Sequence, residues 1–212
     1  MEQNFNDVQV SYDQVAEEYA SHFTEELGHK PLDRALLNRF AEEVRGAGRV
    51  YDLGCGPGHI ARYLSDHGLS VAGIDLSSQM IEAARRLNPG IEFRQGNIAS
   101  LPVEDESLAG MVAFYSLIHF QEPQLFSVFQ ELFRVLQPNG LLFLSFHEGQ
   151  EVRHLEDFLG KSVSLNFYFF ERANMERYLK EVGFEIEESL TRSPYSGEVE
   201  TQRSYIMARK TR

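Results

Sequence analysis

Arg49-Val50-Tyr51-Asp52-Leu53-Gly54-Cys55-Gly56-Pro57-Gly58-His59 is the stretch whose reading decides the fold. Its first five residues have the apolar, β-favouring character of a buried strand, and its glycines at alternate positions break that strand into a tight turn. A helix is expected to open at about residue 58. Several backbone N–H groups and the positive end of the helix would then face whatever lies above the strand tip, an arrangement suited to an anionic or polar ligand.

From Val50 onward, short apolar runs alternate with helical periods, the pattern of βαβ units and a parallel sheet. Strands are expected at 49–53, 70–74, 91–94, 109–114 and 140–146, with helices near 58–67, 78–87 and 122–136, the last stopped by Pro138-Asn139-Gly140. Two amphipathic helices precede the first strand. Tyr12, Val15, Ala16, Tyr19 and Phe23 share a face over about 9–25, and Leu32, Leu36, Leu37, Phe40 and Val44 form a stripe after Pro31. Residues 147–173 read as a long aromatic loop inserted after the fifth strand. Asn174 is expected to cap a helix that Gly183 closes, and two last strands are expected at 184–190 and 203–208. No repeat or linker divides the 212 residues, so a single domain is expected, with residues 1–46 as its helical cap.

Composition narrows the function classes. A net charge of -12 disfavours attraction to nucleic acid or an anionic membrane and leaves small molecules as the expected partners. Arg203, Arg209, Lys210 and Arg212 gather near the C-terminus and read as a solvated tail. Cys55 is the single cysteine, which excludes an intramolecular disulfide and a Cys/His metal cluster; no metal is expected. With no basic-then-apolar leader and no apolar run long enough to span a bilayer, a cytoplasmic protein, monomer or homodimer, is expected.

A dinucleotide fingerprint would require glycine or alanine where this chain has His59, which counts against a nicotinamide cofactor. Asp75 ends the second strand 23 positions after Asp52, where a carboxylate can accept from two ribose hydroxyls or stabilise the start of the helix that Ser77 or Ser78 caps.

Val50 to Gly58, with the remaining motifs in order from Tyr12 to Lys210, resembles the class I S-adenosylmethionine-dependent methyltransferases of small-molecule type. The resemblance implies an α/β, doubly wound, Rossmann-like sheet of seven strands in the order 3-2-1-4-5-7-6, strand 7 antiparallel, with helices on both faces and an N-terminal helical lid. It implies S-adenosylmethionine as cofactor, S-adenosylhomocysteine as product, and a small-molecule methyl acceptor. By resemblance, Asp52, Gly54, Cys55 and Gly56 hold the methionine portion, with Asp52 at its amino group, and Asp75 holds the ribose. Leu76, Met80, Gly96, Asn97 and Ile98 surround the adenine, and Tyr19, Tyr115 and Ser116 complete the cofactor contacts. The family usually has aspartate where this chain has Asn97, so a neutral hydrogen bond would replace a charge-assisted one.

The acceptor pocket is expected among Tyr12, Tyr19, His119, His147, Arg153 and Tyr168. Methyl transfer is an in-line displacement that needs positioning above all, and a base only where the acceptor must lose a proton. His119 and His147 are the candidates for that base. A lone histidine beside apolar residues is more often structural. A protein that binds the cofactor or its product without transferring a methyl group is the alternative reading.

Overall fold

The computed structural model describes residues 4–211; Met1 to Gln3 and Arg212 lie outside them. The opening stretch forms β1 (Arg49–Leu53), the centre of the sheet. β2 (Ser70–Asp75) lies parallel to it on one side and β4 (Leu108–Phe114) on the other, while β3 (Glu92–Gln95) extends the sheet beyond β2. β5 (Leu136–His147) continues in parallel beyond β4. At the far side, β9 (Arg203–Lys210) runs antiparallel between β5 and β8 (Phe184–Arg192). The order β3-β2-β1-β4-β5-β9-β8 is the expected doubly wound topology, β9 being the seventh strand of the sheet in chain order.

Strand alternation assigns each residue to a face. Tyr51, Leu53, Ala72 and Ile74 pack with α5 (Glu122–Val135) and α6 (Arg172–Val182) through Leu125, Phe129, Leu132, Met175 and Leu179. Val50, Val112, Phe114 and Phe143 pack on the opposite face with α2 (Pro31–Val44) and α3 (His59–Asp66) through Leu37, Phe40, Ile60 and Leu64. Burying each large side chain contributes roughly 1.5 to 3 kcal/mol, and both faces of the central strands are covered, so the parallel sheet has no wet side. Among the described residues, no helix is long and apolar enough to cross a membrane.

Four local expectations are corrected. Residues 147–173 are not an irregular loop: β6 (Val152–Phe158) and β7 (Lys161–Tyr168) pair antiparallel. Leu159 and Gly160 both have positive φ, 55° and 78°, the requirement of the two-residue turn that suits strand twist. Second, the segment Pro138-Asn139-Gly140 lies inside β5 rather than ending a helix; α5 stops at Val135, and the irregular register between Leu108 and Gly110 accommodates Asn139 at φ 66°. Third, Glu171 rather than Asn174 is the cap of α6, and Asn174 Nδ2 donates to Glu171 Oε2 at 3.2 Å. Fourth, Arg203, Arg209 and Lys210 are strand residues and not a solvated tail. Lys210 is buried and its ammonium donates to the carbonyls of Phe133 and Leu136, and Arg209 pairs with Glu43 and Glu187.

α1 (Phe5–Phe23) starts earlier than expected because Phe5 and Val8 extend its apolar face. It lies over the C-terminal edge of the sheet. Asp13 Oδ1 accepts from Ser77 Oγ at 2.6 Å and from the Gln79 N–H at 3.0 Å, which fixes α1 to the start of α4 (Ser78–Leu87). Ser11 Oγ accepts from the Ser164 N–H at 3.0 Å, which fixes it to β7.

Candidate active site

The turn after β1 is held from below. Gly54 and Cys55 donate their N–H groups to the Ile74 carbonyl at 2.8 and 3.0 Å, and Gly54, Gly56 and Gly58 all have positive φ. A Cβ on Gly54 would fall 2.3 Å from Ser116 Cβ, and one on Gly58 would meet Phe93 at 2.6 Å. Gly56 differs: its nearest neighbour would be Tyr19 Cε1 at 3.7 Å, so a side chain there would enter open space above the loop.

The two acids face this turn in different ways. Asp52 Oδ2 accepts from the Ala61 N–H at 3.0 Å, the residue is 1% exposed, and burial pushes its carboxyl up to about 7. Asp75 Oδ2 accepts from the Gly56 N–H and Oδ1 from the Ser77 N–H, both at 2.8 Å. Burial pushes Asp75 up to about 6, against these hydrogen bonds. Ser77 caps α4, its Oγ accepting from the Met80 N–H at 3.1 Å. Asn97 Oδ1 accepts from the Ala99 N–H at 2.9 Å in a short turn and retains a second lone pair.

Two connected cavities lie above the strand tips. The narrower, about 90 Å³, is lined by Gly54, Gly56, Asp75, Leu76, Met80, Gly96, Asn97, Ile98, Tyr115, Ser116, Tyr12, Tyr19 and His119. Phe5, Val8, Phe114 and Phe120 complete its apolar wall. The larger, about 520 Å³, contains Asp52, Cys55 and His147, and shares Tyr12, Tyr19, Gly54, Gly56, Phe114 and Tyr115 with the first. Tyr115 stands at the junction with φ 54°, a conformation that costs a non-glycine residue about 1 to 3 kcal/mol. Its N–H bonds to the Ser145 carbonyl at 3.0 Å, and its hydroxyl lies 3.3 Å from Tyr205 Oη.

His119 and His147 are held neutral by burial, each lowered to about 4. His119 Nδ1 faces the Asn166 carbonyl at 3.2 Å and Nε2 faces Tyr12 Oη at 2.8 Å, so both ring nitrogens are engaged. His147 Nδ1 pairs with Thr201 Oγ1 at 2.8 Å, leaving Nε2 as the nitrogen that can serve the larger cavity.

Arg153 and Tyr168 are placed away from both cavities. Arg153 is exposed, paired with Glu151 at 2.5 Å and set over the Phe169 ring, and Tyr168 packs against the main core. Phe158 and Phe167 of the same hairpin line the larger cavity instead. Sequence reading missed a charged end to this cavity, formed by Glu26, Lys30, His59, Glu198 and Arg203. In the sequence Arg203 reads as part of a solvated tail and His59 only as a departure from a dinucleotide fingerprint; the position of His59 directly after the glycine turn is the available signal.

A methyltransferase-domain family model matches residues 50–140, from β1 into β5. The malonyl-[acyl-carrier protein] O-methyltransferase of Enterobacter lignolyticus is 34% identical over 135 residues, covering 64% of this chain and 51% of that protein. The demethylmenaquinone methyltransferase of Renibacterium salmoninarum is 28% identical over 141 residues, covering 66% and 58%. The chain spans about half the length of the curated relatives it matches. Among solved structures, the DhpI–SAH complex superposes with a TM-score of 0.75 at 22% identity, over 99% of this chain and 98% of that one, a likeness of fold.

Proposed function

The chain belongs to the class I S-adenosylmethionine-dependent methyltransferases, and we propose that it transfers the methyl group to a small-molecule acceptor seated in the larger cavity. One observation carries this reading: the cavity lined by Asp75, Leu76, Met80, Asn97 and Ile98 opens into a second, roomier one through a shared wall of Tyr12, Tyr19, Gly54, Gly56, Phe114 and Tyr115.

The residues fit the cofactor. Gly56 leaves open the space a side chain would fill, and Ser116 Oγ is buried with no hydrogen-bond partner among the described residues. Asp75 would accept the ribose hydroxyls, the Gly54–Gly56 turn would hold the methionine portion, and Leu76, Met80, Gly96, Asn97 and Ile98 would enclose the adenine. When bound, S-adenosylmethionine supplies a methyl group on a sulfonium centre, activated for in-line displacement.

The chain's own contribution is chiefly alignment in a dry site. Tyr12, Tyr19, Phe158 and Phe167 would exclude water from the face where the acceptor approaches. For an acceptor that must lose a proton, His147 is the better placed base. In the tautomer whose Nδ1–H donates to Thr201 Oγ1, its Nε2 carries a lone pair at neutral pH. His119 would orient Tyr12. The net charge of -12 supports a small acceptor over a nucleic acid.

Thermal unfolding with S-adenosylhomocysteine tests the site, since only a ligand bound to the folded chain raises the midpoint. A shift with this nucleoside and none with NAD(H) is expected; the reverse pattern overturns the proposal. Release of S-adenosylhomocysteine across a panel of small metabolites then identifies the acceptor.

A further inference from the structure

Glu26 lies in the 3-10 turn between α1 and α2, Lys30 directly precedes α2, and His59 opens α3. Packing brings all three to the larger cavity, which also contains Gly54, Cys55 and Gly56. Glu26 Oε1 faces His59 Nε2 at 2.8 Å, and Glu26 Oε2 faces Lys30 Nζ at 2.5 Å. The side chains of Glu26, Lys30 and His59 are only 12%, 14% and 9% exposed. Opposite charges so well removed from water are costly unless something further compensates them. His59 Nδ1 is also buried, with no hydrogen-bond partner among the described residues.

We propose that Glu26, Lys30 and His59 form a clasp for the α-amino-carboxylate tail of the cofactor, an inference that rests on the cofactor site described above. A zwitterion matches this cluster: its ammonium meets Glu26 and the unpartnered His59 Nδ1, its carboxylate meets Lys30, and the net charge of the cavity is unchanged. Asp52 is less suited to the ammonium, because burial favours its neutral form. Burial alone would raise Glu26, but the hydrogen bond to His59 and the pairing with Lys30 outweigh it and hold its carboxyl below the usual range. Lys30 also lies 3.6 Å from Glu198, which is held by Arg192 and Arg203.

The test is calorimetric titration with S-adenosylhomocysteine and with 5′-methylthioadenosine, which keeps the nucleoside and sulfur but lacks the tail. The unaltered chain is expected to prefer S-adenosylhomocysteine by at least about tenfold, roughly the worth of one charge-assisted hydrogen bond. Lys30→Met and Glu26→Gln should each remove about tenfold of that affinity and leave 5′-methylthioadenosine unchanged. Equal affinities in the unaltered chain overturn the clasp, whether or not the variants fold. Variants that keep full affinity for S-adenosylhomocysteine, or lose both nucleosides equally, also overturn it. If the unaltered chain binds neither nucleoside, the cofactor site itself fails, and the clasp with it.

Discussion

Tyr12 Oη donates to His119 Nε2 at 2.8 Å, and the partner on the other side of the ring fixes that direction. The Asn166 backbone carbonyl can only accept, so Nδ1 carries the proton and Nε2 is bare. One neutral imidazole thereby joins α1, the turn after β4 and the β6–β7 hairpin.

That neutrality sets a pH dependence. The folded-state pKa of about 4 lies below the unfolded value near 6.5, so the contribution is fully present above pH 6.5 and is lost as pH falls toward 4. Its full size is on the order of 3 kcal/mol. Urea unfolding between pH 7 and 4.5 should show a shallower acid loss for His119→Gln than for the unaltered chain. Parallel curves would mean that His119 does not titrate in this way.

In the proposed cofactor site Asp75 would have to be ionised to accept from both ribose hydroxyls, and burial pushes its carboxyl up to about 6. Affinity for S-adenosylhomocysteine should therefore weaken as pH falls through 6, approaching tenfold per pH unit. Asp75→Asn should bind weakly at every pH and lose this slope, as measured by calorimetry in buffers of equal ionic strength.

Gly54 and Gly56 are expected to respond differently to a single methyl group. Gly54→Ala forces a Cβ into Ser116 at φ 68° and should destabilise the fold by at least about 3 kcal/mol. Gly56→Ala meets no near neighbour and carries only the left-handed backbone cost of about 1 to 2 kcal/mol, yet should abolish nucleoside binding. A Gly56→Ala chain that binds S-adenosylhomocysteine normally would move the ligand away from this turn.

Arg192 and Asp33 form a buried pair at 3.1 Å, with Tyr205 Oη donating to the same carboxylate at 2.8 Å. Arg192→Met leaves Asp33 uncompensated and should cost roughly 3 to 5 kcal/mol, lowering the thermal midpoint by about 10 °C. Substituting the exposed Arg177, paired with Glu181 on the surface of α6, should leave the thermal midpoint unchanged.

The meeting of the glycine turn with Asp75 was legible because each determinant is local. A strand run with alternate glycines, and an acid at the next strand tip, are each read within a few residues, and parallel register then aligns Asp52 with Gly73 and Leu53 with Ile74 at one sheet edge. The hairpin was legible in part: Val163, Leu165 and Phe167 alternate with period two, but the abundance of aromatics hid that period.

By itself, the sequence determined the parallel sheet and the glycine turn at its centre, since backbone sterics and strand alternation act over short spans. Only the tertiary structure decided which charges meet across the larger cavity, and that Phe158 and Phe167 rather than Arg153 and Tyr168 line it. Residues 26, 30, 59 and 198 share no period, and their meeting depends on how the α1–α2 connection and the chain before β9 pack over the sheet edge. Long-range packing of this kind maximises buried apolar area and minimises unpaired charge over the whole fold, and no short window of residues carries that information.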